Sequence, residues 1–264
     1  MSDSAVLKTH AAGLDFQNPI LLAAGTAAYG RELAGVMSLD LLGGIVTKAV
    51  SLEPRPGAPS PRVAEFDGGM INAVGLANPG ADEVKATELP WLARELKQAR
   101  VIVNVIGRII EDFGDVVARL DDSAGLDAYE LNVSCPNTRA GGLEFGADAA
   151  SLTAVVARAR AATRRPIFVK LSPTLPDIGF TARVAVDAGA DGISVVNTMP
   201  GLVIDLETRK PKLGFGSGGV SGPGLRPVGV LATWKVRKAV TVPIVGLGGV
   251  GTAEIGRASC RERV

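Results

Sequence analysis

The sequence predicts an α/β fold, a (β/α)8 TIM barrel whose eighth βα unit is missing, and three observations carry that reading. Short apolar runs rich in Val, Ile and Leu alternate with helix-like segments seven times, without interruption by a second pattern. Polar residues stand at the end of nearly every run, and a barrel gathers all those ends onto one face. The 264 residues, 47% of them hydrophobic, suit a single barrel core, which typically takes about 250 residues. A doubly wound open sheet is the alternative. The expected organisation is an incomplete barrel domain over residues 1–250 followed by an anomalous tail over 251–264.

The elements follow in order. PILLAA at 19–24 is a continuous apolar run, as expected of a strand buried on both faces. Residues 31–39 read as a helix, and GGIVT at 43–47 is the second strand, with Lys48 at its carboxyl end. Residues 53–78 show no periodicity and are heavy in Pro and Gly, which reads as a long functional loop. A helix is expected over 83–98, then VIVNV at 101–105 as the third strand, with Asn104 inside it. Residues 110–120 are helical. The fourth strand, 128–133, puts Leu131 and Val133 out of phase with Glu130 and Asn132 and runs into Ser134, Cys135 and Pro136. A helix over 148–162 has an acidic start and a basic end, the arrangement that the helix dipole favours. IFVKL at 167–171 is the fifth strand, a helix covers 177–188, and GISVV at 192–196 is the sixth strand, ending on Asn197 and Thr198. A second glycine-rich loop fills 200–223, a helix covers 226–240, and PIV at 243–245 is the seventh strand, leading to GLGG at 246–249. No strand pattern follows, and residues 257–264 are charged.

Composition narrows the function classes. A net charge of +1 leaves no electrostatic footprint for nucleic acid. No apolar run approaches the ~20 residues of a membrane span, and the start lacks the order of a signal peptide. Two cysteines, Cys135 and Cys260, make no disulfide framework, so a cytoplasmic location is expected. With His10 the only histidine, neither a metal site nor a histidine relay is expected, and chemistry falls to Cys, Lys, Asn and Ser.

Lys48, Asn72, Asn104, Asn132, Lys170, Asn197 and Thr198 all fall at strand ends or in the loop after the second strand. Any one asparagine alone fits a turn. Lys170 within an apolar run calls for an anionic partner, either a structural ion pair with Glu130 or a ligand. Cys135 is either a small packed hydrophobe or a catalytic acid/base at the barrel mouth. The glycines of 246–249 and of GGVSGP at 218–223 offer backbone donors for a phosphate. Together these suggest a phosphorylated cofactor lying across the mouth, of a kind that becomes anionic, such as a flavin.

ELNVSCPN at 130–137, with NAVGLANPG at 72–80, KLSP at 170–173, NT at 197–198 and SGP at 221–223, resembles dihydroorotate dehydrogenase. The cysteine and the NAVGLANPG form resemble class 1B, the catalytic FMN subunit. The resemblance implies FMN near Ala24, Lys48, Ala49, Asn104, Asn132, Lys170, Val196, Gly222, Gly248 and Gly249. It implies dihydroorotate at Lys48, Asn72, Ala73, Val74, Gly75, Leu76, Asn132, Asn197 and Thr198. Cys135 would take the proton at C5, Lys48 would meet the substrate carboxylate, and Lys170 would stabilise the anionic reduced flavin. A homodimer with an electron-transfer subunit carrying FAD and an iron–sulfur cluster, a heterotetramer delivering electrons to NAD, is the implied assembly. Ala24 departs from the serine common in the family, as does the absence of its C-terminal segment. The alternatives are a dihydropyrimidine dehydrogenase-like reduction and a non-catalytic barrel.

Overall fold

Strand-by-strand alternation of side chains explains the architecture of the computed structural model, which describes residues 7–134 and 144–252. The chain opens with an antiparallel hairpin, β1 (Thr9–Ala11) and β2 (Leu14–Phe16), whose two turn residues Ala12 and Gly13 both have positive φ, 51° and 78°. Next come β3 (Leu21–Leu22), α1 (Arg31–Ala34) and β4 (Gly44–Val46). A second hairpin, β5 (Val63–Phe66) and β6 (Gly69–Asn72), precedes α2 (Ala81–Glu83), which continues through a π-turn at Val84–Glu88 into α3 (Leu89–Glu95). Pro90 lies in this helix, and its ring would press on the carbonyl four residues back; the widened turn gives it room.

The regular half follows: β7 (Arg100–Val105), α4 (Ile110–Leu120), β8 (Ala128–Asn132), α5 (Ala149–Ala162), β9 (Ile167–Leu171), α6 (Ile178–Asp187) and β10 (Gly192–Val195). Asp148 and Asp177 cap α5 and α6 by accepting from the backbone N–H of Ser151 and Phe180. Then come β11 (Met199–Gly201), β12 (Gly218–Ser221), α7 (Arg226–Ala239) and β13 (Ile244–Gly246).

Seven strands form one parallel sheet in the order β3-β4-β7-β8-β9-β10-β13. The order never reverses, so there is no switch point of a doubly wound sheet. This is a (β/α)8 barrel with its eighth unit absent among the described residues, open between β13 and β3.

Odd and even positions of the strands face two environments. Val101, Val103, Val105, Tyr129, Leu131, Ile167, Val169, Leu171, Ile193 and Val195 point outward and join one core with the helices. The opposite face is apolar at one end, where Val46, Ile102, Ala128 and Phe168 cluster, closed from below by Ala12 and Leu14 of the first hairpin. Further along the same strands the inward positions become Asn104, Glu130, Lys170 and Ser194, all buried. Gly192 leaves room for the Phe168 ring: a Cβ there would lie 2.5 Å from it.

Two expected loops hold structure instead. Residues 53–78 contain β5 and β6, and 200–223 contain β11 and β12. These four strands make an antiparallel sheet in the order β11-β12-β6-β5 above the barrel mouth. The first strand and first helix are also shorter than expected, and the helix expected over 83–98 runs over 81–95. Of the tail expected over 251–264, residues 253–264 lie outside the described residues.

One carboxylate ties the outer layer to the sheet. Asp40 Oδ1 accepts from the backbone N–H groups of Lys97, Gln98 and Ala99, at 2.8, 2.7 and 2.9 Å. Burial raises its pKa, but these three donors outweigh that and leave it below the ordinary carboxylate value. A depressed pKa stabilises the fold above the ordinary value, and that contribution is lost as pH falls through the depressed one. Asp40→Ala is therefore expected to cost about 1–3 kcal/mol at neutral pH in urea unfolding, with the gap to wild type closing in acid.

Candidate functional site

The inward polar positions meet because neighbouring strands are in register. Asn104 pairs with Glu130 across β7 and β8, and Asn132 pairs with Lys170 across β8 and β9. Asn104 Nδ2 donates to Glu130 Oε1 at 2.7 Å, and Lys170 Nζ lies 3.9 Å from the same oxygen. Both charged side chains are nearly inaccessible, 7% for Lys170 and 1% for Glu130, so each needs the other. Asn104 Oδ1 is buried with no hydrogen-bond partner among the described residues. A lysine at ion-pair range but beyond hydrogen-bond range, next to an orphaned amide oxygen, leaves polar capacity unused at the carboxyl end of the sheet.

A second group stands one layer further out. Asn197 Nδ2 donates to Asn132 Oδ1 at 3.3 Å, and Asn197 Oδ1 accepts from the backbone N–H of Thr198 at 2.9 Å. Asn72, at the end of β6, donates to the Gly219 carbonyl at 3.2 Å. Gly219 is required here because a Cβ would overlap Thr198 Oγ1. The result is a pocket of about 320 Å³ whose lining includes Ala73, Gly75, Ser134, Glu144, Asn197 and Thr198. The larger cleft, about 770 Å³, is lined by Glu53, Asp82, Asp115 and Arg119 among others and holds none of the expected site residues.

The loop after β6 is held by Asn78, which the sequence reading left in a motif without a role. Its Oδ1 accepts from the backbone N–H of Ser51 and Gly80, and its Nδ2 donates to the Leu76 carbonyl and Ser51 Oγ. Val74 is fixed through its carbonyl, which accepts from Ala58 N–H, and Leu76 takes a positive φ of 57°. Asn78→Ala is expected to raise KM for the pocket's ligand by about tenfold with turnover less affected, because it loosens positioning and not chemistry; steady-state kinetics separate the two.

The remaining expected residues are spread around the mouth. Lys48 follows β4, half-buried, with no side-chain hydrogen bond or ion pair among the described residues; Ala49 beside it is buried. Ala24 packs against the inner apolar cluster, and Val196 is buried at the end of β10. Gly222, Gly248 and Gly249 all have positive φ, and Gly248 and Gly249 lie against Leu225 and Arg226 at the start of α7. Backbone donors at the start of a helix suit a phosphate. Cys135 lies outside the described residues; Ser134, the residue before it, has a buried Oγ with no partner among the described residues and lines the pocket. Sequence reasoning missed Glu144 and Ser172 as site residues. Ser172 was visible inside KLSP, while Glu144 gave only the hint of a lone charge between Leu143 and Phe145.

The family model for dihydroorotate dehydrogenase matches residues 6–255. The chain belongs to the dihydroorotate dehydrogenase family. It is 46% identical over 242 residues to the catalytic subunit of dihydroorotate dehydrogenase B (NAD+) from Pelobacter propionicus, covering 92% of this chain and 79% of that protein. It is 47% identical over 248 residues to a Solibacter usitatus protein provisionally named dihydroorotate dehydrogenase A (fumarate), covering 94% of this chain and 81% of the relative. A crystal structure of the Eimeria tenella dihydroorotate dehydrogenase in complex with ferulenol superposes with a TM-score of 0.79 over 96% of this chain and 76% of that one. At 23% identity it speaks for the fold alone.

Proposed function

We propose that this chain is the FMN-binding catalytic subunit of an NAD-linked dihydroorotate dehydrogenase, oxidising (S)-dihydroorotate to orotate in pyrimidine (UMP) biosynthesis. The observation that carries this is one pocket lined by Asn197 and Thr198, with Asn132 and Asn72 hydrogen-bonded to Asn197 and Gly219 of that lining, beside the buried Lys170–Glu130–Asn104 chain.

The residues fit FMN. The unpaired Asn104 Oδ1 and the loosely paired Lys170 are the polar groups an isoalloxazine edge would satisfy, and the backbone of Gly248 and Gly249, packed against the start of α7, would offer N–H donors to a phosphate. Ala24, Ala49 and Val196 would pack on its apolar parts. FMN, when bound, supplies the hydride acceptor.

The chain's own residues do the rest. Asn72, Asn132 and Asn197 present amides that match the donors and acceptors of a pyrimidine ring, and Thr198 adds a hydroxyl. Lys48 is a cation with its charge uncommitted among the described side chains, suited to the substrate carboxylate. Residues 73–76 close over the substrate. Cys135 takes the C5 proton as general base. Lys170, anchored by Glu130, keeps a positive charge where negative charge develops.

Electrons leave through a partner carrying FAD and an iron–sulfur cluster, with a homodimer at the centre of the assembly. Among the described residues no helix is long and apolar enough to cross a membrane. The test is ligand preference and acceptor choice. Flavin-loaded protein is expected to bind orotate well and uracil poorly, since only orotate offers Lys48 a carboxylate. It is expected to reduce an artificial dye but not NAD. Preference for uracil points to dihydropyrimidine dehydrogenase-like chemistry, and rapid fumarate-dependent turnover overturns the NAD-linked class.

A further inference from the structure

Glu144 stands in the wall of the same pocket, where nothing in the chemistry above uses it. Its Oε1 accepts from Ser172 Oγ at 3.3 Å, and Ser172 Oγ lies 2.7 Å from Thr174 Oγ1. Among the described residues no cation balances it. The pocket lining contains no other titratable side chain among the described residues. On the strands leading to Ser134 and Ser172, Glu130 and Lys170 face each other. Cys135 and Arg139, in the segment before Glu144, lie outside the described residues. Burial raises the Glu144 carboxyl above its ordinary pKa, and the Ser172 hydrogen bond only partly opposes this.

We infer that Glu144 sets the pH range over which the pocket accepts an anionic substrate, by holding its own carboxyl protonated in the complex. The inference rests on the pocket being the dihydroorotate site. Two carboxylates in a space of about 320 Å³, with Glu144 already short of solvation, repel each other at low effective dielectric. The ligand therefore binds the neutral form of Glu144 more tightly, and by linkage binding draws a proton onto it. Affinity is full below the Glu144 pKa and falls as pH rises through it, by up to roughly tenfold per pH unit, until the ionised form carries the remaining binding. Glu144 is a positioning and specificity residue here, not a proton donor to the substrate.

Calorimetry of orotate binding to the flavin-loaded protein, between about pH 5 and 8 and in two buffers of different ionisation enthalpy, reads both affinity and protons taken up. Wild type is expected to take up a fraction of a proton on binding and to weaken with pH. Glu144→Gln is expected to take up none and to hold a flat profile, tighter than wild type at the alkaline end. Glu144→Ala is expected to behave the same, which guards against a misplaced amide. Orotate methyl ester, with the same ring and no charge, is expected to bind wild type without proton uptake. An unchanged profile and proton count in Glu144→Gln overturns the inference and leaves the substrate reading intact. Failure of flavin-loaded wild type to bind orotate at any of these pH values overturns both.

Discussion

Cys135→Ala is expected to lower dihydroorotate turnover by about 10²-fold or more, the scale on which a positioned general base acts. FMN content is expected to stay at the wild-type level, because the glycines and lysine proposed to hold the cofactor come from other strands. Cys135→Ser is expected to retain part of the activity, with the pH optimum moved upward, since a hydroxyl gives up its proton less readily than a thiol. The residue follows Ser134, whose buried Oγ has no partner among the described residues and which lines the proposed substrate pocket. Normal turnover in Cys135→Ala would mean that the thiol only packs.

Lys170→Met is expected to combine two losses. Removing the ammonium strands the Glu130 carboxylate, 1% accessible, with Asn104 as its one hydrogen-bond donor among the described residues. Breaking a buried pair in this way costs about 3–5 kcal/mol. The second loss is of the positive charge proposed to face the flavin, and it is expected to remove turnover and weaken FMN retention. A double variant separates the two. Glu130→Gln with Lys170→Met no longer buries a lone charge, so thermal stability is expected to recover while activity does not. If the double variant is active, Lys170 serves the fold alone.

The sheet and its interior were legible because their signal is local. IFVKL and ELN carry polar residues at alternate positions, and the same alternation turns Lys170, Glu130 and Asn104 into the barrel while Val169 and Leu131 face the helices. Helix limits at 110–120 and the caps Asp148 and Asp177 were equally local. The sheet over the mouth was not. Its strands are three or four residues long, carry Gly69, Pro200, Gly218 and Gly219, and pair across 147 positions between Asn72 and Gly219. No period of two survives in such segments, so they read as loops. Glu144 was hidden for a related reason: its place beside Ser172 depends on the turn at Phe145–Ala147 meeting the end of β9, which no spacing within one segment reveals.

Anaerobic mixing of dihydroorotate with the FMN-loaded protein is the most direct measurement. The flavin's visible absorption is expected to bleach completely with one equivalent of orotate formed per flavin, and Cys135→Ala is expected to bleach far more slowly to the same end point. Flavin that stays oxidised in the presence of saturating dihydroorotate would contradict the proposed activity.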